Sequence, residues 1–189
     1  MSAEPTDPWP ARERSLLPLV VLAAIVIAML TGGYVVAGAL SEPVGPPVSV
    51  AGVVRVSPLS GWEVARRFGS PPGARLTRGA GTLDVFAMLP PDASPADLVR
   101  AYTDRFLEPD SSQLSASTIR GVALDGSLAG ARMSYVGTFG DRRAPIEGQL
   151  TAVIAPSGAG IVFDGWAPRG LLRYALDDID RMVARAAVT

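Results

Sequence analysis

The hydrophobic residues follow three regimes along the chain. Leu16 to Leu40 is an apolar run with no charged residue between Arg14 and Glu42. From Val48 onward, short stretches of alternating or β-branched apolar residues lie between Gly and Pro turns, the mark of strands. Two later segments, 94–108 and 171–187, space their apolar residues at helical intervals.

The first run is predicted to cross a membrane. As a helix it is about 37 Å long, more than the roughly 30 Å of a hydrocarbon core, so it spans with some tilt. A buried helix of a soluble domain would show polar positions at helical spacing, and this one shows none. Pro18 falls in the first turn, where its missing N–H costs nothing. Arg12 and Arg14 precede the run, whereas Ser41 to Gly52 carries Glu42 and no positive charge. The positive-inside rule then puts the N-terminus in the cytoplasm and the rest of the chain outside it, at the plasma membrane.

A cleaved leader is the competing reading, because Ala37-Gly38-Ala39 has the small-x-small form of a cleavage site. Its apolar region would be far longer than that of a signal peptide, which favours a retained anchor. Within the run, Gly33 and Ala37 form a small-x-x-x-small pair suited to packing against another membrane helix.

The expected layout is a disordered cytoplasmic tail over 1–14, a transmembrane helix over 15–40, a Pro-rich spacer over 41–49 and an extracytoplasmic α+β domain over 50–189. In that domain strands are expected at Val50 to Val56, Trp62 to Phe68 and Arg75 to Arg78. The last of these turns at Gly79-Ala80-Gly81 into a hairpin with Thr82 to Leu89. Ser94-Pro95-Ala96-Asp97 supplies an N-cap, a proline at the first helical position and an acid resembling a capping box, for a helix that Pro109 ends. Strands follow near Ser117 to Leu124, Ala131 to Phe139, Glu147 to Ala155 and Gly160 to Trp166, then a helix over Leu171 to Ala187. Strands and helices do not alternate regularly, so an antiparallel sheet packed with two helices is predicted, not a parallel nucleotide-binding fold.

Composition narrows the chemistry. There are 17 basic and 18 acidic residues, so no net field favours nucleic acid. Every basic residue is arginine, and lysine and asparagine are absent, a bias that GC-rich bacterial coding explains. The lack of cysteine removes disulfides, thiolate chemistry and a lipid-bearing cysteine, leaving the apolar run as the membrane attachment. The lack of histidine removes the commonest general base and metal ligand.

Candidate sites are correspondingly few. Ser57, Ser60 and Ser134 have no histidine or lysine to activate them and no G-x-S-x-G elbow. Asp164 and Glu147 do not have a spacing that implies two facing acids. Gly158-Ala159-Gly160 reads as a hairpin turn and not a phosphate cradle. Asp177, Asp178 and Asp180 point in different directions on a helix and read as a solvated face, not a cation site. The chain is therefore expected to be no enzyme and to need no cofactor or metal.

The most informative stretch is Phe163-Asp164-Gly165-Trp166-Ala167-Pro168-Arg169. Asp164 among aromatics needs a partner, for which Arg169 is the local candidate. Trp166, with Trp62 and Phe86, is a candidate contact surface, and Phe86, Met133, Tyr135 and Trp166 are candidate linings of a ligand pocket.

Three segments, Pro58-Leu59-Ser60-Gly61-Trp62-Glu63-Val64, Ala96-Asp97-Leu98-Val99-Arg100-Ala101-Tyr102 and Gly160-Ile161-Val162-Phe163, in this order of elements, resemble the PsbP-like fold. The chain is most similar to its bacterial cell-envelope members, including actinobacterial lipoproteins of the LpqN type. That resemblance covers about Val48 to Val188 and implies a non-catalytic accessory, assembly or binding module. It carries over no catalytic residue, and the chain departs from the lipoproteins in having no lipid-bearing cysteine. Expected partners are the membrane and other envelope proteins, with a small ligand or lipid as the alternative.

Overall fold

A computed structural model describes residues 45–88, 94–124, 128–140 and 144–189. The chain divides into a unit over Met1–Ser41 and a second over Glu42–Thr189. The first unit lies outside the described residues, and with it the expected tail, the Leu16 to Leu40 anchor, Gly33 and Ala37. Among the described residues no helix is long and apolar enough to cross a membrane.

The second unit is built on an antiparallel sheet. Its strands are β3 (Glu63–Gly69), β4 (Pro72–Arg78), β5 (Gly81–Met88), β6 (Ser111–Ala116), β7 (Arg120–Leu124), β8 (Leu128–Phe139), β9 (Ile146–Ile154) and β10 (Gly160–Pro168). The order is β3-β4-β5-β10-β9-β8-β6, with β7 also paired to β8. A small second sheet joins β1 (Val48–Val50), β2 (Val54–Val56) and the chain's last strand, β11 (Ala187–Val188).

One helix covers each face of the large sheet. Helix α1 (Pro95–Tyr102) and the wider π turn Thr103–Leu107 that continues it sit on one side, where Leu98, Val99 and Tyr102 meet Met133, Tyr135, Leu150 and Val162. Helix α2 (Leu176–Ala184) and the small sheet sit on the other, over Leu83, Val85, Ile161 and Phe163. Both faces are buried, so β5 and β10 carry buried residues in both phases.

The first helix starts as its sequence dictates. The Ser94 hydroxyl accepts from the Asp97 N–H while the Asp97 carboxylate accepts from the Ser94 N–H, a reciprocal capping box with Pro95 at the first position.

Four elements differ from the sequence expectation. The stretch Val50 to Val56 is not one strand but the hairpin β1–β2, because Ala51 and Gly52 turn the chain through left-handed backbone (φ 51° and 75°). Val48 and Val50 are core residues, so the domain starts inside the expected spacer. The strand expected at Ser117 to Leu124 is shortened to β7, and an unexpected strand, β6, precedes it across residues 117–119. The last helix is shorter than Leu171 to Ala187, with a 3-10 turn at Leu172–Tyr174 before it and β11 after it.

Candidate functional site

Residues opposite each other in an antiparallel ladder share a face. The registers Arg75↔Asp84, Asp84↔Asp164, Asp164↔Leu150 and Leu150↔Met133 therefore lay one row of side chains across β4, β5, β10, β9 and β8, under α1. At its centre are two buried carboxylates, Asp84 at 2% and Asp164 at 1% exposure. Buried charge requires partners, and each has its own.

Asp84 is held by a fork from Arg75, with Nε to Oδ1 at 2.6 Å and a terminal nitrogen to Oδ2 at 2.7 Å. The Trp166 indole N–H donates to the same Oδ2 at 3.1 Å. The Arg75 guanidinium also lies 5.3 Å from the Trp166 ring and 5.5 Å from that of Phe68.

Asp164 accepts from the Tyr135 hydroxyl at 2.7 Å and the Tyr102 hydroxyl at 3.2 Å. This corrects the expected pairing with Arg169. That arginine lies past the end of β10, exposed, with its backbone N–H bonded to the Pro145 carbonyl. Tyr102 ends α1, so Asp164 ties the helix to the sheet.

Glycine makes the Tyr135 bond possible. The ring lies over Gly148, its ladder partner, and a Cβ there would stand 2.3 Å from Tyr135 Cζ. Phe86 lies likewise over Gly73, where a Cβ would meet its Cδ1 at 2.4 Å.

The second polar cluster is on the other face. Asp178 is buried and accepts from the Trp62 indole N–H at 3.1 Å, from Arg78 and from Arg181. Asp180 accepts from Gln149 Nε2 at 2.8 Å and pairs with Arg132 at 2.9 Å. The reading of these aspartates as a solvated face thus holds for exposed Asp177 and fails for buried Asp178, while Asp180 is part exposed and still bonded to the sheet. They pin α2 to both halves of the sheet.

The candidate residues are divided by this arrangement. Phe86, Tyr135, Asp164 and Trp166 come together beneath α1, whereas Trp62 lies on the α2 side and Arg169 at a sheet end. Met133 and Tyr135, expected to line a pocket, are packed in the core, and Trp166 is half buried.

Sequence reasoning missed Asp84, Arg75, Tyr102 and Asp178. A signal existed for two of them. Asp84 shares its strand phase with Phe86 and Met88, which is not the pattern of a wet face. Asp178 lies three residues after Ala175 and four before Met182, on the apolar stripe itself.

Charged and aromatic groups here satisfy one another inside the fold. Surface clefts are lined mostly by other residues, although Tyr135 borders one of them and Arg169 another. One of about 430 Å³ lies on the α2 side along Ser115, Ser134, Val136, Gln149, Leu172 and Leu176. Among the described residues no three carboxylates gather as a metal site.

Solved structures share this architecture. The solution structure of cyanobacterial PsbP (CyanoP) from Synechocystis superposes with a TM-score of 0.56 over 78% of this chain and 96% of that one, at 14% identity. The fold is PsbP-like. LpqN, described as involved in cell envelope biogenesis of Mycobacterium tuberculosis, aligns with a TM-score of 0.50 over 76% of this chain and 90% of its own, at 15% identity. A variant of the protein Mog1 aligns at 0.50 over 76% and 95%, at 10% identity. No protein-family model and no curated protein sequence matches the chain. The likeness to these structures is therefore one of backbone architecture, at 10–15% identity.

Proposed function

We propose that the chain is a non-catalytic, membrane-anchored extracytoplasmic interaction module, an accessory or assembly subunit of a cell-envelope membrane complex. The observation that carries this reading is where the side chains are used. Asp84, Asp164 and Asp178 are each spent on holding strands and helices together. Meanwhile Leu171 and Tyr174, 40% and 67% exposed, border one surface cleft. Large apolar groups on the surface of a domain with a well-satisfied interior favour a protein contact. The apolar run Leu16 to Leu40, with its charge asymmetry, supports a position outside the cytoplasm at the membrane. The envelope role printed for LpqN is consistent with it.

The test is the native state of the full-length chain, solubilised from its own membranes in mild detergent through a C-terminal tag. It is expected to migrate in a defined complex with other membrane proteins. A chain that comes down alone as a monomer in several detergents contradicts the reading.

One observation favours a ligand-binding alternative. A cleft of about 370 Å³ lies between Ser70, Pro71 and Pro72 on one side and Leu98 and Ala101 of α1 with Arg105 and Phe106 of the following π turn on the other. Apolar walls with one cation suit an amphipathic anion. Native mass spectrometry that finds no retained ligand counts against it.

A further inference from the structure

Among the described residues four large apolar side chains are exposed, Val64, Val136, Leu171 and Tyr174. The registers place all four toward one end of the large sheet. Val64 opposes Leu76, two residues before the end of β4, and Val136 opposes Glu147, the second residue of β9. Leu171 and Tyr174 follow the end of β10, where the Glu147 carboxylate accepts from the N–H groups of Gly170 and Leu172. The opposite end, with its turns at 70–71 and 155–159, exposes none among the described residues.

The chain enters the domain at this same end. Gly45, the first described residue, lies beside Pro58, and the Ser60 carbonyl two residues further on accepts from Arg78 at the β4–β5 turn. A cleft continues from Arg78 along Gly79, Ala80, Leu171 and Tyr174. Residues 41–44 separate Gly45 from Leu40, the last residue of the apolar run, a reach of at most about 18 Å. A domain on so short a tether keeps its entry end, and Leu171 with it, turned toward the membrane that holds the run.

We infer that this end docks on the extracytoplasmic loops of a different protein that spans the same membrane, with Leu171 at the centre of the contact. This rests on the membrane-anchored module reading and names its surface and the partner's class. Two other occupants fit less well. Anionic lipid headgroups draw in an excess of basic residues, and here Arg78, Arg169 and Arg173 are balanced by Glu63, Asp177 and Asp178. Copies of this chain in one membrane are related by axes along the membrane normal, so two membrane-facing patches stand side by side and never face each other. Loops rising beneath the domain reach the patch directly. The Tyr174 hydroxyl accepts from Arg173 at 2.7 Å and its ring lies 4.7 Å from that guanidinium, which makes it the polar, wet rim of the contact.

The test is photocrosslinking in native membranes, with a benzophenone side chain built into the full-length protein at Ala80, on the cleft that Leu171 borders, or at Ser157 on the opposite end. The expected result is an adduct from Ala80, and none from Ser157, to a second protein that stays in carbonate-washed membranes. Leu171→Asp should lower the Ala80 yield about tenfold, the scale of one lost interface anchor, and Leu171→Met should not. Both variants change an exposed residue and should keep the midpoint of thermal unfolding. An Ala80 adduct to a copy of this chain, to a protein that carbonate releases, or one indifferent to Leu171→Asp overturns the proposal and leaves the module reading standing. Protein adducts from Ser157 alone do the same. No protein adduct from either position, with or without lipid adducts, overturns both.

Discussion

Asp84 and Asp164 sit directly opposite each other across the β5–β10 ladder, both buried, and each looks to a different set of donors. Like charges in that relation are unfavourable. They persist because Arg75 and Trp166 hold one, while Tyr102 and Tyr135 hold the other. Removing the Asp164 carboxylate strands two buried hydroxyls. Asp164→Ala is expected to destabilise the domain by about 1–3 kcal/mol, and Tyr135→Phe by about 1 kcal/mol. Urea unfolding of the two variants and their double mutant checks this, and the coupling between them should be clearly non-zero.

Gly148 is the floor on which Tyr135 lies. Gly148→Ala forces the ring off the sheet and should cost about 1–3 kcal/mol. In a Tyr135→Ser background the same change should cost much less. Equal costs in the two backgrounds, measured by thermal unfolding, would show that the ring is not what the glycine accommodates.

Neighbouring aspartates of α2 should behave differently. Asp178→Ala removes the acceptor of the Trp62 indole and should cost about 1–3 kcal/mol and alter the near-UV circular dichroism of that tryptophan. Asp177→Ala, on the wet side, should stay within about 0.5 kcal/mol.

How far the sequence discloses this fold follows from which interactions are local. The capping box at Ser94, the hairpin turn at Gly79-Ala80-Gly81 and the strand phase of Thr82 to Leu89 depend on near neighbours, and all are legible in the residues. The partners of Asp164 are not, because Tyr102 and Tyr135 lie 62 and 29 positions away and meet it only once the sheet has formed. Arg169 is only five positions from Asp164 in sequence. Strand geometry carries it out of reach, since each residue along a strand advances about 3.3 Å.

The Asp97 carboxyl is held below the usual carboxylate range, first by the hydrogen bond from the Ser94 side chain, then by that from the Ser94 backbone, with Arg100 beside it. A group with a depressed folded-state pKa adds stability above its unfolded value, about 3.9 for aspartate. That contribution is lost as pH falls through the lower folded value. Ser94→Ala should therefore raise the Asp97 midpoint toward the ordinary value, as read by NMR titration. An unchanged midpoint would mean that the cap is not what lowers it.

That the domain works on a membrane and outside the cytoplasm is tested most directly by a single engineered cysteine, since the chain has none of its own. Tyr174→Cys offers an exposed position. In intact cells a membrane-impermeant maleimide should label it, with the full-length chain staying in carbonate-washed membranes. Labelling only after lysis, or release of the chain by carbonate, would contradict the proposed placement.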